Sequence, residues 1–211
     1  MNHDFTYKES WRVFRILAEF VEGFEELSKI GQAVTVFGSH QSKMYYNVAM
    51  ELAKLLAEEG YTVMTGAGGG IMEAVNHGAF TAGGESIGLN IDLPTEQKPN
   101  KYITKLMSFR YFFVRKVMFA RFSKAFIALP GGFGTFDEFF EIITLVQTKK
   151  IKKIPIILMG KDYWSGLISW IENTVLPEKN ISPRNLNLFK VIDEPSKVVQ
   201  YIKDFHKNKK N

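Results

Sequence analysis

Arg115 and Lys116 are adjacent cations in a stretch otherwise crowded with aromatic side chains: Phe109, Tyr111, Phe112, Phe113, Phe119 and Phe122. Among so many apolar neighbours such a pair calls for an anionic substrate or a carboxylate partner, and Glu138 is the carboxylate at hand. Between them lies Pro130-Gly131-Gly132-Phe133-Gly134-Thr135, and an earlier loop reads Gly66-Ala67-Gly68-Gly69-Gly70. Glycine permits positive φ and lets a ligand approach the main chain. A helix starting directly after such a loop offers unpaired N–H groups to an anion. The alternative is that the glycines only turn the chain. Two such loops at one edge of a sheet favour ligand binding.

Glu138 admits two readings. Thr135-Phe136-Asp137-Glu138 fits a capping box, which would make the carboxylate structural. In the functional reading it lies one helical turn from an anion held by the loop, within reach of a ribose. Other chemistries find less support. The first loop has Ile71 where a dinucleotide fingerprint needs a third glycine, although Asp92 downstream keeps an NAD-binding reading open. The second loop has no Lys-Ser or Lys-Thr pair and is not a P-loop. His3, His40, His77 and His206 are scattered, and with no cysteine no metal site is expected. His40 reads as a solvated loop residue, and no G-x-S-x-G elbow is present.

The elements that must position these groups follow from hydrophobic periodicity. Trp11, Phe14, Leu17, Ala18, Val21 and Phe24 fall at helical spacing and predict an amphipathic helix over about 10–29. Strands are expected at 33–37, 61–64, 86–90, 124–129 and 154–159, and helices around 48–56 and at 71–82, 108–122, 135–147, 163–175 and 196–205. Residues 91–100 read as a connection. This alternation predicts one α/β domain over 1–211, a Rossmann-like three-layer fold with a parallel sheet and helices on both faces.

Composition bounds the function class. No run of about eighteen apolar residues is present, so no membrane span is expected. The polar start, Met1 to Ser10, is unlike a secretory leader, and with the absence of cysteine it predicts a cytoplasmic protein. The net charge of +5 gathers in a basic C-terminal tail (Lys203, Lys207, Lys209, Lys210) and at Lys149, Lys150, Lys152 and Lys153. Cations at a helix C-terminus satisfy its dipole, so nucleic acid is not the expected partner.

Taken together, the Arg115-Lys116 pair and P-G-G-x-G-T-x-x-E over Pro130–Glu138 resemble the LONELY GUY (LOG) family. Its members are cytokinin riboside 5'-monophosphate phosphoribohydrolases, often mislabelled as lysine decarboxylases. The likeness runs from Val34-Thr35-Val36-Phe37-Gly38-Ser39 to about Gln147, and the 108–118 region and Asp162-Tyr163-Trp164-Ser165-Gly166 look most like the longer bacterial branch. The resemblance implies that Arg115 and Glu138 are the catalytic pair and that Gly131, Gly132, Gly134 and Thr135 hold a 5'-phosphate. It also implies that Gly68, Gly69 and Gly70 wall the nucleotide pocket, with Lys116 and Ser39 beside the substrate. No cofactor is implied, and homo-oligomers are. Phe112-Phe113 replaces the Met-His of plant-type members, so AMP is as fitting a substrate as an N6-modified AMP. The expected reaction is hydrolysis of the N-glycosidic bond, giving free base and ribose 5-phosphate. The alternatives are a non-catalytic nucleotide-binding or sensor protein and an NAD-dependent oxidoreductase.

Overall fold

The computed structural model describes residues 7–93 and 98–208, with side chains from Trp11 onward. The polar start before Tyr7, part of the 91–100 connection, and Lys209 and Lys210 of the basic tail lie outside the described residues. The strands are β1 (Ala33–Phe37), β2 (Thr62–Thr65), β3 (Ser86–Ile91), β4 (Lys105–Phe109), β5 (Ser123–Ala128), β6 (Ile156–Leu158) and β7 (Lys190–Val191). The helices are α1 (Tyr7–Leu27), α2 (Tyr46–Glu58), α3 (Ile71–Thr81), α4 (Phe112–Phe122), α5 (Phe133–Gln147), α6 (Lys161–Trp170) and α7 (Pro195–Lys207). All strand pairs are parallel, in the order β4-β3-β2-β1-β5-β6-β7. The chain folds as the Rossmann-like α/β sandwich that the alternation of elements implies.

Period-two alternation divides the core. On β1, Ala33 and Phe37 face one layer while Val34 and Val36 face the other, and Phe126 and Ala128 against Ala125 and Ile127 repeat this on β5. The first layer is closed by Leu27 of α1, Met118 and Phe119 of α4, Phe139 of α5 and Trp164 of α6. The second is closed by α2, α3 and α7 through residues such as Leu52, Ile71 and Val198. Strands buried on both faces explain their near-continuous apolar sequence.

Two expectations are corrected, and a third gains detail that the sequence did not supply. The helix expected over 108–122 starts only at Phe112, because Met107 and Phe109 alternate inward with Leu106 and Ser108 outward as the edge strand β4. The single helix expected over 163–175 is α6 followed by a π-turn over Ile171–Val175. Most informative is α1. The residues that announce it as amphipathic, among them Phe14, Leu17 and Val21, are more than half exposed. The buried side is instead Ile16, Phe20, Gly23 and Leu27, packed on α4. A Cβ at Gly23 would stand 2.7 Å from the Met118 side chain, so glycine there sets how closely the two helices pack. Among the described residues no helix is long and apolar enough to cross a membrane.

Candidate functional site

The strand order reverses direction between β1 and β5, the place where an open α/β sheet leaves a crevice at its carboxyl ends. A cavity of about 550 Å³ occupies it, within the range of ligand pockets. Its wall includes Gly38, Ser39 and His40 after β1, Gly66 after β2, Ile91 and Leu93 at the end of β3, and Arg115 of α4. Gly132, Phe133, Gly134 and Thr135 complete it from the N-terminus of α5.

That terminus is built to take an anion. Helix α5 starts at Phe133 with Gly132 as its N-cap, and the Thr135 and Phe136 amides both turn back to the Gly132 carbonyl. The amides of Phe133 and Gly134 are left without an acceptor among the described residues, and no acidic residue occupies the first turn. Nothing lies within 4 Å of where a Cβ would stand on Gly132 or Gly134, so both open onto free space. Gly131 is confined instead: a Cβ there would collide with Thr135 Oγ1 and stand 3.0 Å from the Ser39 nitrogen. The Tyr163 hydroxyl donates to the Gly131 carbonyl. Because the peptide is planar and trans, fixing that carbonyl aims the Gly132 N–H in the opposite direction.

Behind this loop the backbones interlock. The Ser39 amide donates to the Pro130 carbonyl at 2.9 Å, and the Ser39 carbonyl receives the Ile71 amide at 2.9 Å. Gly70, at φ +61, lies so close that a Cβ would meet the Ser39 oxygen at 2.5 Å. The first glycine loop is steadied by a buried polar network that the sequence reading did not find. Asn76 accepts from Thr65 Oγ1 at 2.7 Å and donates to Ser86 Oγ at 2.8 Å. The Asn100 amide reaches the Ala67 and Gly68 carbonyls at 3.1 and 3.0 Å, holding Ala67 at φ 68. The only trace of this in the sequence is Asn76 itself, a polar residue on the otherwise apolar face of α3.

The capping-box reading of Glu138 fails. With Gly132 as N-cap, Thr135 already lies inside the helix and Glu138 lies a turn further on, with no side-chain cap present. Glu138 is 3% exposed, and its Oε2 has no hydrogen-bond partner among the described residues. Burial pushes its carboxyl up to about 7, against the pull of Lys116 and Arg115, while Glu141 and Asp137 add to the rise. Arg115 is partly buried, and this desolvation lowers its pKa against the opposing pull of Glu138 and Asp137. Its Nη1 donates to the Leu89 carbonyl at 3.4 Å, its guanidinium lies 5.4 Å from the Phe112 ring centroid, and Nε has no partner among the described residues. No direct ion pair joins Arg115 to Glu138 among the described residues; the two act on each other through the field.

The structure separates residues that the sequence groups together. Ser39, Arg115, Gly132, Gly134 and Thr135 line the cavity; Gly131 backs the loop; Glu138 lies behind the wall, a turn from Thr135. Gly68, Gly69 and Gly70 are outside the lining, where Gly66 stands instead. Lys116 also lies outside it, paired with Asp137 at 2.8 Å and Glu141 at 2.9 Å. His40, read as a solvated loop residue, belongs to the wall, as do Phe37, Met72, Ile91, Leu93, Phe112 and Phe133. Asp92 is not part of it, and its amide is taken by the Phe109 carbonyl at 2.8 Å.

Comparison with known proteins agrees with this geometry. The family described as "Possible lysine decarboxylase" matches residues 72–202. The cytokinin riboside 5'-monophosphate phosphoribohydrolase LOG of Oryza sativa subsp. japonica is 34% identical over 137 residues, 62% of this chain and 55% of that one. The cytokinin riboside 5'-monophosphate phosphoribohydrolase LOG4 of Arabidopsis thaliana is 32% identical over 156 residues, 70% of this chain and 71% of that one. The chain belongs to the LOG family. A structural-genomics target, TM1055, superposes on this LOG-family fold with a TM-score of 0.64 at 24% identity, covering 82% of this chain and 99% of that one. A molybdenum cofactor binding protein from Rippkaea orientalis does so with a TM-score of 0.61 at 20% identity, over 84% and 98%. At such identities the likeness is one of fold. Among the described residues no lysine lines the cavity of this LOG-family member.

Proposed function

We propose that this chain hydrolyses the N-glycosidic bond of a purine nucleoside 5'-monophosphate, AMP or an N6-modified AMP. Water adds to C1', the C1'–N bond breaks, and the base leaves with a proton, giving free base and ribose 5-phosphate. The observation that carries the reading is Glu138, a buried carboxyl whose Oε2 has no partner among the described residues, poised near neutrality close to the open N-terminus of α5. The activity in the names of its relatives supports it.

In this mechanism the α5 amides and Thr135 hold the 5'-phosphate, which fixes the ribose relative to the carboxyl and removes much of the entropic barrier. A group with pKa near the working pH is suited to accept a proton from water, and its developing charge stabilises an oxocarbenium-like ribosyl cation. Lys116 and then Arg115 supply a positive field that favours ionised Glu138, and Arg115 on the cavity wall faces the substrate. The apolar wall residues Ile91, Leu93 and Phe112 are the surface against which the base rests.

The test is incubation with AMP, an N6-modified AMP, adenosine and NAD, measuring free base and ribose 5-phosphate. Cleavage of a monophosphate but not of adenosine is the expected result. AMP binding without release of base from any monophosphate would establish the non-catalytic alternative, and equal turnover of AMP and adenosine would remove the phosphate loop from the mechanism.

A further inference from the structure

Glu138 can accept the proton of the attacking water, but the departing purine needs a proton of its own. When the C1'–N bond breaks, its electron pair passes to the base, and departure is far easier if a ring nitrogen is protonated in the same step. Among the described residues that line the cavity, only His40 and Arg115 carry ionisable side chains. Arginine does not release its proton in a protein. An imidazole is the side chain suited to giving up and regaining one at neutral pH.

We infer that His40 is the general acid of this reaction, protonating the purine ring as the glycosidic bond breaks; the inference rests on the proposed hydrolysis. The sheet order puts His40 where that bond must lie. Strands β1 and β2 stand between β5 and β3. A nucleotide with its phosphate at the start of α5 and its base against Ile91 and Leu93 therefore stretches from the end of β5 to the end of β3. Its C1'–N bond passes over the ends of β1 and β2, where the wall is Gly38, Ser39, His40 and Gly66. Glu138 belongs to α5 in one helix layer, whereas the His40 turn is tied through Ser39 to Ile71 of α3 in the other. That division suits a displacement in which water enters on one side of C1' and the base leaves on the other.

The turn that carries His40 is pinned, and its ring is left free. Pro130 and Ile71 take up the Ser39 amide and carbonyl, and Ser39 Oγ accepts the amides of Gln41 and Ser42 at 3.2 and 3.1 Å. Gly70 packs so closely that a Cβ there would stand 2.6 Å from the His40 carbonyl. The first glycine loop thus backs the acid without lining the cavity at Gly69 or Gly70. The His40 ring has no hydrogen-bond or ion-pair partner among the described residues. His77, by contrast, stacks on Tyr102 and meets the Tyr46 hydroxyl, and His206 joins Tyr61 to the Lys124 carbonyl. In the reaction the imidazolium gives its proton to a purine ring nitrogen and the C1'–N electron pair passes to the base. Water bonds to C1' and yields a proton to Glu138. Transfer of that proton through solvent to His40 restores both groups.

The experiment compares the monophosphate that the wild type cleaves, AMP or an N6-modified AMP, with p-nitrophenyl β-ribofuranoside 5'-phosphate, whose phenolate departs without a proton. Wild-type, His40→Gln and Glu138→Gln chains are assayed on both. On the nucleotide, His40→Gln is expected to lower kcat about a hundredfold or more, with KM changed less than about threefold. On the nitrophenyl substrate its kcat should fall less than about threefold, which shows in the same preparation that the fold and the phosphate loop are intact. Glu138→Gln should slow both substrates alike, because both pass through the same ribosyl cation. A wild type that frees base from neither nucleotide overturns the hydrolase reading and the acid with it. A wild type that does free base leaves that reading standing. The acid alone is then overturned if His40→Gln keeps its kcat on the nucleotide, raises only KM, or loses both substrates equally.

Discussion

Replacing Glu138 by glutamine changes one charge and almost no volume, and the structure predicts opposite consequences for stability and for turnover. Burial lifts the carboxyl from 4.5 to about 7, so between those pH values the folded chain keeps a proton that the unfolded chain has released. The stability contributed by this group is therefore fully present below pH 4.5 and is lost as pH rises through about 7. At 1.36 kcal/mol per pKa unit the loss is about 3 kcal/mol, an order-of-magnitude figure that needs no large discount for solvent because the group is buried. Glutamine does not ionise and escapes this loss. Glu138→Gln should match the wild type near pH 4.5 and exceed it at pH 8, by roughly 6–12 °C in Tm for a chain of this size.

Turnover should move the other way, falling about a hundredfold or more when the charge is removed. In the wild type kcat/KM should rise with pH through about 7 as Glu138 ionises, and in the variant this limb should flatten. The second ionisation of the substrate phosphate, near pH 6, titrates in the same region. AMP affinity measured over the same pH range separates the two. A variant with near-normal turnover would make the carboxyl structural, and an unchanged Tm difference between pH 5 and 8 would show that the carboxyl is not desolvated.

Three further outcomes follow from the loops and their supports. Gly70→Ala should cost about 1–3 kcal/mol in chemical denaturation, because the residue combines positive φ with a Cβ pressed on the Ser39 and His40 backbone, whereas Gly60→Ala at φ +79 meets nothing and should cost less. Tyr163→Phe removes the bond that orients the Gly131–Gly132 peptide and should raise KM for the monophosphate about three- to tenfold with kcat little changed, the worth of one hydrogen bond; an unchanged KM would show that the loop holds its orientation unaided. Lys116→Met removes a charge that lowers the Glu138 pKa, so the rising limb of kcat/KM should shift to higher pH, and a limb that stays in place would show that Lys116 does not act on the carboxyl.

The layer order and most strands were legible because strands buried on both faces leave short apolar runs bounded by glycine and charge, as at Ala33–Phe37 and Ile154–Met159. Edge strand β4 was hidden because its Met107/Phe109 alternation runs straight into the aromatic helix that follows. The loop proposed here to hold the phosphate was visible in the sequence as Gly131, Gly132, Gly134 and Thr135, and the structure sets Gly132, Gly134 and Thr135 on the cavity wall. The start of α5 was placed two residues late, and that shift alone made a capping box of Thr135 and Glu138. Helix α1 was found, but the side it turns to the core was not indicated by its apolar periodicity. Periodicity reports that a face is apolar but not which of two apolar faces meets the core, and a glycine at the true contact, Gly23, adds nothing to the apolar signal.

The adjacent cations also acquire separate reasons. Successive residues on a helix diverge by about 100°, so Arg115 and Lys116 cannot serve the same neighbour. Lys116 turns to α5 and is held by Asp137 and Glu141 on either side of Glu138, and despite burial those hydrogen bonds raise its pKa. The bond between helices therefore fixes the distance from α4 to the carboxyl and spends the flanking acids in doing so. Arg115 turns to the cavity wall, where one long hydrogen bond and the faces of Phe112 and Phe119 fix its plane without neutralising its charge. Had Arg115 closed directly on Glu138, the carboxyl would be driven down toward the ordinary acidic range and its pKa would lose its match to neutral pH. Both cations pull the Glu138 pKa down through the field, Lys116 more than Arg115, but neither closes on the carboxyl, and burial holds it near 7.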